Sequence, residues 1–449
     1  MFLTYCIFAA NDVFLRWSYT KVCREYCNKN KGFSKGMMKF RSIEVQNQLW
    51  TAIQSIVGSA YVSVLVFATA RLMDLPSAGV LAFAAAISDI MRSLISLSVR
   101  LYQSTDIKQE FNFNTYLVAR TACAIVVTVI FATVLALGQF DLDRVVVVLL
   151  FYFAYLTHAY ADVFYGDLQQ KGKMRVAGKM LSFSFGGAII VYTVTAYLTR
   201  ELIPSLAFSG LVVFFVNVIW IWFYRKHFGK LRQKVDKSDL KKLIKNILPL
   251  AVTTVLFAYL YNAQKYFLSA IVSDAAVAIF TILILPMTVF GMISGFFFHG
   301  AELTRIAEIL ESGQIRRFTQ RVYRQFLLIA AIFVPYILGI YFLGIPILSW
   351  VYNVDLSEYR LYLTILSGVG GFYATTIFLG AVLVVLRRQK AYLCCMGAVA
   401  IVTAPLMWIL ISQYGITGAM ISSSIVYVAL AATLYVVYRI AKKQLNIAE

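Results

Sequence analysis

Long runs of apolar residues recur along the chain, separated by short polar or basic stretches. A helix needs about 20 mainly apolar residues to cross a membrane, since each adds about 1.5 Å of rise. Twelve runs meet that requirement, at 48–70, 76–98, 117–138, 145–166, 177–198, 206–223, 247–271, 276–298, 325–344, 362–386, 391–412 and 416–438. Several are apolar all round, as lipid-facing or deeply buried helices are. Strand-length alternation between turns is absent, which argues against a β-barrel. The pattern predicts an all-α polytopic membrane protein with twelve transmembrane helices.

Charge gives the runs a direction. Of the 41 Lys and Arg residues, nearly all fall before the first run, after each even-numbered run, or in the C-terminal tail. Arg71, Arg144, Arg200 and Arg360 fall in the opposite loops, and Arg92 and Lys265 lie inside predicted spans. Cytoplasmic loops concentrate such charge, and a wrong span count would scramble the alternation. Both termini are therefore expected in the cytoplasm.

The densest basic stretch, 224–246, is expected to be a cytoplasmic linker between an N-lobe of six helices (46–223) and a C-lobe of six (247–438). Basic residues 1–45 and residues 439–449 are expected to form cytoplasmic tails. An even number of spans per half sets both halves in the same orientation, as in a parallel pseudo-repeat around a central cavity. Faint self-similarity supports this, the stretch 77–84 resembling 276–283. Residues 1–20 are apolar but broken by Asn11, Asp12 and Arg16. They are too short to span and lack the basic start of a signal peptide. Native translation is expected to begin at Met37 or Met38, leaving 1–37 untranslated.

Composition narrows the class. Apolar residues make up 61% and charged residues 14% of the 449 positions, against about 45–50% and about 25% in soluble domains. A soluble enzyme, a disordered chain and a secreted disulfide scaffold are excluded. The net charge of +20 follows from loop topology and does not imply nucleic acid. Six scattered cysteines and three distant histidines lack the spacing of a zinc site, so no metal or other cofactor is expected. Neither a phosphate-binding loop ending in Gly-Lys-Ser/Thr nor a zinc-protease His-Glu motif is present. The expectation is a transporter, not an enzyme.

An ionisable side chain at mid-bilayer costs roughly 2.5–3.5 kcal/mol on insertion scales, so each is a functional candidate. Asp89 and Arg92 stand three apart on one helical face. They make either an intrahelical ion pair or a site in which Arg92 offers a donor fork to a phosphate. Lys265 has no acid on its own helix and sits beside Asn262 and Gln264 in a segment, 261–266, too polar to face lipid. It either lines a polar cavity or snorkels outward. His158 and Asp162, one turn apart, make a structural contact or a proton-carrying pair for coupling. Gln54 and Asn217 line the cavity or join helices. Gly368, Gly370 and Gly371, with Pro286 and Pro405, mark expected kinks.

Two junctions carry a family pattern. After the second run the chain reads Arg100-Leu101-Tyr102-Gln103-Ser104-Thr105-Asp106-Ile107-Lys108, then Glu110-Phe111-Asn112-Phe113 and Tyr116-Leu117-Val118-Ala119-Arg120. After the fourth comes Tyr165-Gly166-Asp167-Leu168-Gln169-Gln170-Lys171-Gly172-Lys173, leading to Ala177-Gly178-Lys179. From about Met38 to Arg439 the chain resembles the bacterial flippases for O-antigen and capsular polysaccharide. That family belongs to the superfamily of multidrug, oligosaccharidyl-lipid and polysaccharide exporters.

The resemblance implies a multi-pass protein of the bacterial cytoplasmic (inner) membrane. It would move a polyprenyl-pyrophosphate-linked oligosaccharide between leaflets, with a polysaccharide polymerase and glycosyltransferases as partners. Related flippases hold the pyrophosphate with cations in a central cavity, and Arg92 and Lys265 are the positions here that match. The arginine that relatives often carry on the fifth helix is missing, since 180–199 hold no charge. A multidrug or cation antiporter of the same superfamily is the competing expectation.

Overall fold

The computed structural model describes residues 31–106, 110–138, 141–228, 235–298 and 301–447. The expectations for residues 1–30 lie outside them. Among the described residues the regular structure is helical throughout. The helices are α1 (Lys31–Leu72), α2 (Leu75–Ser96), α3 (Val99–Thr105), α4 (Phe113–Leu137), α5 (Leu142–Gln170), α6 (Met174–Thr199) and α7 (Leu202–His227). They continue as α8 (Lys237–Ile271), α9 (Asp274–Phe298), α10 (Ala301–Glu311), α11 (Ile315–Tyr352), α12 (Arg360–Gly368), α13 (Gly370–Val385) and α14 (Gln389–Ile447).

Among the described residues, eleven segments are long and apolar enough to cross a membrane. The last of them, Gln389–Leu445, is broken at Gly415, whose φ of 55° and ψ of −127° leave the helical region. Glycine adopts a positive φ without the clash a Cβ would bring. The chain folds back there, and α14 supplies two crossings, which restores the twelve expected from the sequence. The tenth crossing, Ser357–Val385, is interrupted between α12 and α13, at the predicted glycine cluster.

Helix starts follow local chemistry. Asp74 caps α2 by accepting the Ser77 N–H at 2.7 Å, and Asn112 caps α4 by accepting the Thr115 N–H at 2.9 Å. Such caps satisfy backbone donors that a helix start leaves free. Between α2 and α3, Leu97 and Ser98 take positive φ values of 43° and 53°, which turns the chain sharply. α11 starts ten residues before the apolar run that predicted it. Its added turns are amphipathic, with Ile315, Phe318, Val322 and Gln325 buried along one stripe. The short helix α10 packs on that stripe through Ile306. Arg321 clamps Glu302 of α10 with two hydrogen bonds of 2.7 and 2.8 Å. Burial pushes the Glu302 carboxyl up, but hydrogen bonds from Arg321 and Gln325 outweigh it and hold the group below its ordinary value.

α1 packs on α6, α6 on α7, and α5 on both α2 and α7. In the second half α8 packs on α14, and α13 on α9 and α14. α2 is the element that joins them, lying against α8 and α9. Exposed apolar side chains such as Ile125, Val129 and Ile130 of α4, or Phe215, Ile219 and Trp222 of α7, line the perimeter. A soluble protein would bury so large an apolar surface, whereas lipid tails accept it.

The two stretches that resemble each other, 77–84 and 276–283, open α2 and α9 and pack together. A Cβ on Gly79 would sit 1.7 Å from the Asp274 carbonyl oxygen, so only glycine permits this approach. Around it Arg144 pairs with Asp274 at 3.0 Å, and Arg71 donates to the Trp350 and Val351 carbonyls at 2.8 and 3.0 Å. At the opposite end the joins are thinner and more exposed. Ser98 and Thr254 share a 2.8 Å hydrogen bond, Asn246 donates to the Tyr102 hydroxyl at 3.2 Å, and Lys242 lies 3.8 Å from Glu110.

Candidate functional site

In the last third of α2, Asp89 accepts two hydrogen bonds from Arg92, at 3.1 Å from Nε and 2.6 Å from Nη2. The i, i+3 spacing puts both on one face, and the intrahelical pair, one of the two arrangements that the sequence left open, forms. It is not sealed: the side chains are 24% and 36% exposed. The Arg92 guanidinium also lies 5.6 Å from the Tyr155 ring of α5, within cation–π range.

The second oxygen of Asp89 reaches the other half of the molecule. It accepts the Asn262 side-chain amide of α8 at 3.2 Å, and the Asn262 carbonyl oxygen accepts Lys265 Nζ at 3.3 Å. Lys265 is buried and lies 5.4 Å from the Tyr261 ring. It does not snorkel to a surface. One α8 turn thus delivers amide and ammonium to the face that meets α2. Nearby, Tyr266 donates to the Ala86 carbonyl at 2.7 Å and packs edge-on against Phe83. Tyr261, Tyr373 and Tyr427 continue as an aromatic row, with centroids 6.4 and 5.0 Å apart.

A further cluster lies wholly in the first half. Asp162 of α5 is held by Arg100 at 3.0 Å and Arg120 at 3.4 Å. Arg120 has no solvent exposure and also donates to the Ile95 carbonyl at 3.1 Å. His158, one turn from Asp162, packs instead on Phe185 and Tyr165, with centroids at 4.6 and 5.8 Å. Its Nδ1 is buried without a hydrogen-bond partner. Tyr155, whose ring meets Arg92, lies one turn before His158 on α5, so the two clusters approach each other along that helix.

Gln264 is buried with both side-chain polar atoms unpartnered, and Gln54 is buried with its carbonyl oxygen unpartnered. Asn217 accepts the Tyr165 hydroxyl at 3.0 Å. Of the residues singled out in the sequence, Asp89, Arg92, Asn262 and Lys265 are therefore in one chain of contacts, Asp162 is in the second cluster, and Gln54 and Gln264 are outside both.

Sequence reasoning missed Arg100 and Arg120, which it counted as loop charges. Two signals were available. The Asn112 cap starts α4 at Phe113 and carries Arg120 two turns into the helix. An acid as deep as Asp162 also demands a cationic partner. Among these residues Arg92, Arg100, Arg120 and Lys265 face Asp89 and Asp162, an excess of two positive charges.

The sequence matches no family model and no curated protein sequence. Solved structures do match in fold. An inward-facing multidrug-resistance MATE transporter of the MOP superfamily aligns with a TM-score of 0.67 at 12% identity, over 86% of this chain and 94% of its own. The lipid II flippase MurJ, in an inward closed conformation, aligns at 0.65 and 13%, over 88% and 90%. A MOP-superfamily transporter from Pyrococcus furiosus, described as having a binding pocket of reversed polarity, aligns at 0.58 and 13%, over 90% and 95%. The chain has the polytopic fold that these transporters and flippases share.

Proposed function

We propose that the protein is a flippase that carries a polyprenyl-pyrophosphate-linked oligosaccharide from the inner to the outer leaflet for surface polysaccharide assembly. The observation that carries this reading is the sign of the intramembrane site: four cations on α2, α3, α4 and α8 against two carboxylates. A lipid-linked anion cannot cross about 30 Å of hydrocarbon with its charge uncompensated. The excess of two positive charges suits a pyrophosphate, and the half-buried Tyr261 and Tyr373 offer ring faces and hydroxyls to sugars. Lipid tails stay outside, against the apolar perimeter.

The energetics need no coupling ion. An inside-negative potential favours outward movement of an anion by about 2.3 kcal/mol per charge per 100 mV. Two charges then gain about 4–5 kcal/mol per 100 mV. The reading places the protein in the bacterial inner membrane with both termini cytoplasmic. It assigns 46–223 and 247–438 to two lobes that rock about a central cavity, joined through 224–246, and it places the polymerase and glycosyltransferases beside it.

The competing reading, a multidrug or cation antiporter, draws on the fold shared with the MATE transporters. It asks for an unpaired acid in the cavity, whereas Asp89 and Asp162 are both answered by arginines. Deletion and complementation in the native host tests the proposal. Wild-type protein should restore surface polysaccharide, and Arg92→Gln at equal protein level should not. Unchanged polysaccharide in the deletion strain, with new sensitivity to cationic drugs, would favour the antiporter.

A further inference from the structure

A phosphate offers an arginine two oxygens for a bidentate bond, and accepts amide and ammonium donors beside it. Within the protein one side chain already engages donors of those kinds. Asp89 Oδ1 takes both Nε and Nη2 of Arg92, and Oδ2 takes the Asn262 amide, which in turn holds Lys265. The carboxylate presents its two oxygens to the same donors that a phosphate group would use.

We infer that Asp89 is a built-in competing anion, which occupies the headgroup site between passengers and ties α2 to α8 until a pyrophosphate displaces it. The inference rests on the flippase reading and adds to it a residue that sets affinity and resets the cycle.

Three features of the geometry favour displacement over a permanent structural pair. Both partners are partly open, at 24% and 36% exposure, where Asp162 has 14% and its partners Arg100 and Arg120 have 26% and none. Arg92 also keeps the Tyr155 ring as a second contact when the carboxylate leaves. Of the two clusters, the one around Asp89 crosses between halves, so its release removes a polar tie between α2 and α8 while the Tyr266 hydrogen bond to the Ala86 carbonyl stays. Once the anion departs, Asp89 recovers its donors, and the two helices are tied again without a bound ligand. A carrier has to return unloaded, and this contact gives the return a resting state.

A self-occupied site lowers apparent affinity by the fraction of time that the site is free. A tenth-populated free state weakens binding about tenfold. Binding of farnesyl pyrophosphate to the purified full chain in lipid nanodiscs reads this directly. Asp89→Asn keeps the shape and removes the charge, and should bind on the order of tenfold more tightly than wild type. Asp89→Glu keeps the charge and should stay near wild type, and Arg92→Gln should lose binding. Tighter binding by Asp89→Asn together with slower transport supports the inference.

Equal or weaker binding by Asp89→Asn, with wild-type protein binding normally, overturns the inference and leaves the flippase reading intact. Absence of pyrophosphate binding in wild type, with a cationic dye bound instead, overturns both.

Discussion

The two ion networks inside the bundle use the same chemistry to different ends. Around Asp162, two arginines from α3 and α4 close on one carboxylate of α5, and one of them, Arg120, is wholly buried. All three of these residues belong to the first half of the chain. Around Asp89 the ion pair is closer, at 2.6 Å, but partly open, and contacts run on from α2 to an amide and an ammonium of α8. A buried ion pair whose members move together holds a body rigid. The Asp89–Arg92 pair also lies within one helix, and the hydrogen bond from Asn262 is what joins it to α8. The first network closes within one half of the chain, and the second reaches across to the other.

The largest effect should come from the rigid network. Arg120→Met leaves Asp162 with half of its compensation, and breaking a buried pair costs roughly 3–5 kcal/mol. The protein should melt earlier and accumulate less in the membrane. Normal accumulation would mean that the first cluster is not the structural one.

A charge-swapped pair sharpens the distinction. Asp89→Arg with Arg92→Asp preserves an ion pair on α2 but exchanges the group that meets Asn262 and Tyr155. Normal protein level with lost polysaccharide display is expected. Recovery of display would make the pair a plain helix contact.

Lys265 tests the far end of the crossing network. Lys265→Ala should impair display more than Lys265→Arg at equal protein level. Equal display in both variants would remove the ammonium from the mechanism.

The smallest effect lies at Glu302 of α10, outside the membrane spans. The Glu302 carboxyl is held below its ordinary value in the folded protein. A lowered folded value gives stability that is present above the unfolded value, about 4.3, and is lost as pH falls through the folded one. Melting temperature should therefore drop on acidification in that range, and Glu302→Gln should flatten the drop by a small amount. An identical acid profile in both proteins would show that the clamp contributes nothing.

Much of this architecture is legible in the amino-acid sequence. Apolar runs of spanning length mark the crossings because lipid forces every backbone group into a helix. Asn262 and Lys265 could be paired by their i, i+3 spacing, as could Asp89 and Arg92. The contact between Asn262 and Asp89 could not, since it joins positions 173 apart and depends on how α2 meets α8. Arg120 was counted with the preceding loop although the apolar run already begins at 117, and the Asn112 cap, which starts the helix at Phe113, sets it deeper still. The break at Gly415 separates two crossings that hydropathy alone distinguishes by a few polar residues, and there the sequence reading and the helix path agree.

Movement of a labelled polyprenyl-pyrophosphate disaccharide across proteoliposomes, under an imposed membrane potential, tests the central claim most directly. The account predicts that wild-type protein speeds the transfer, that transfer runs toward the positive side, and that Arg92→Gln abolishes it. Transfer no faster than in empty liposomes, with potential-driven movement of an organic cation instead, would contradict it.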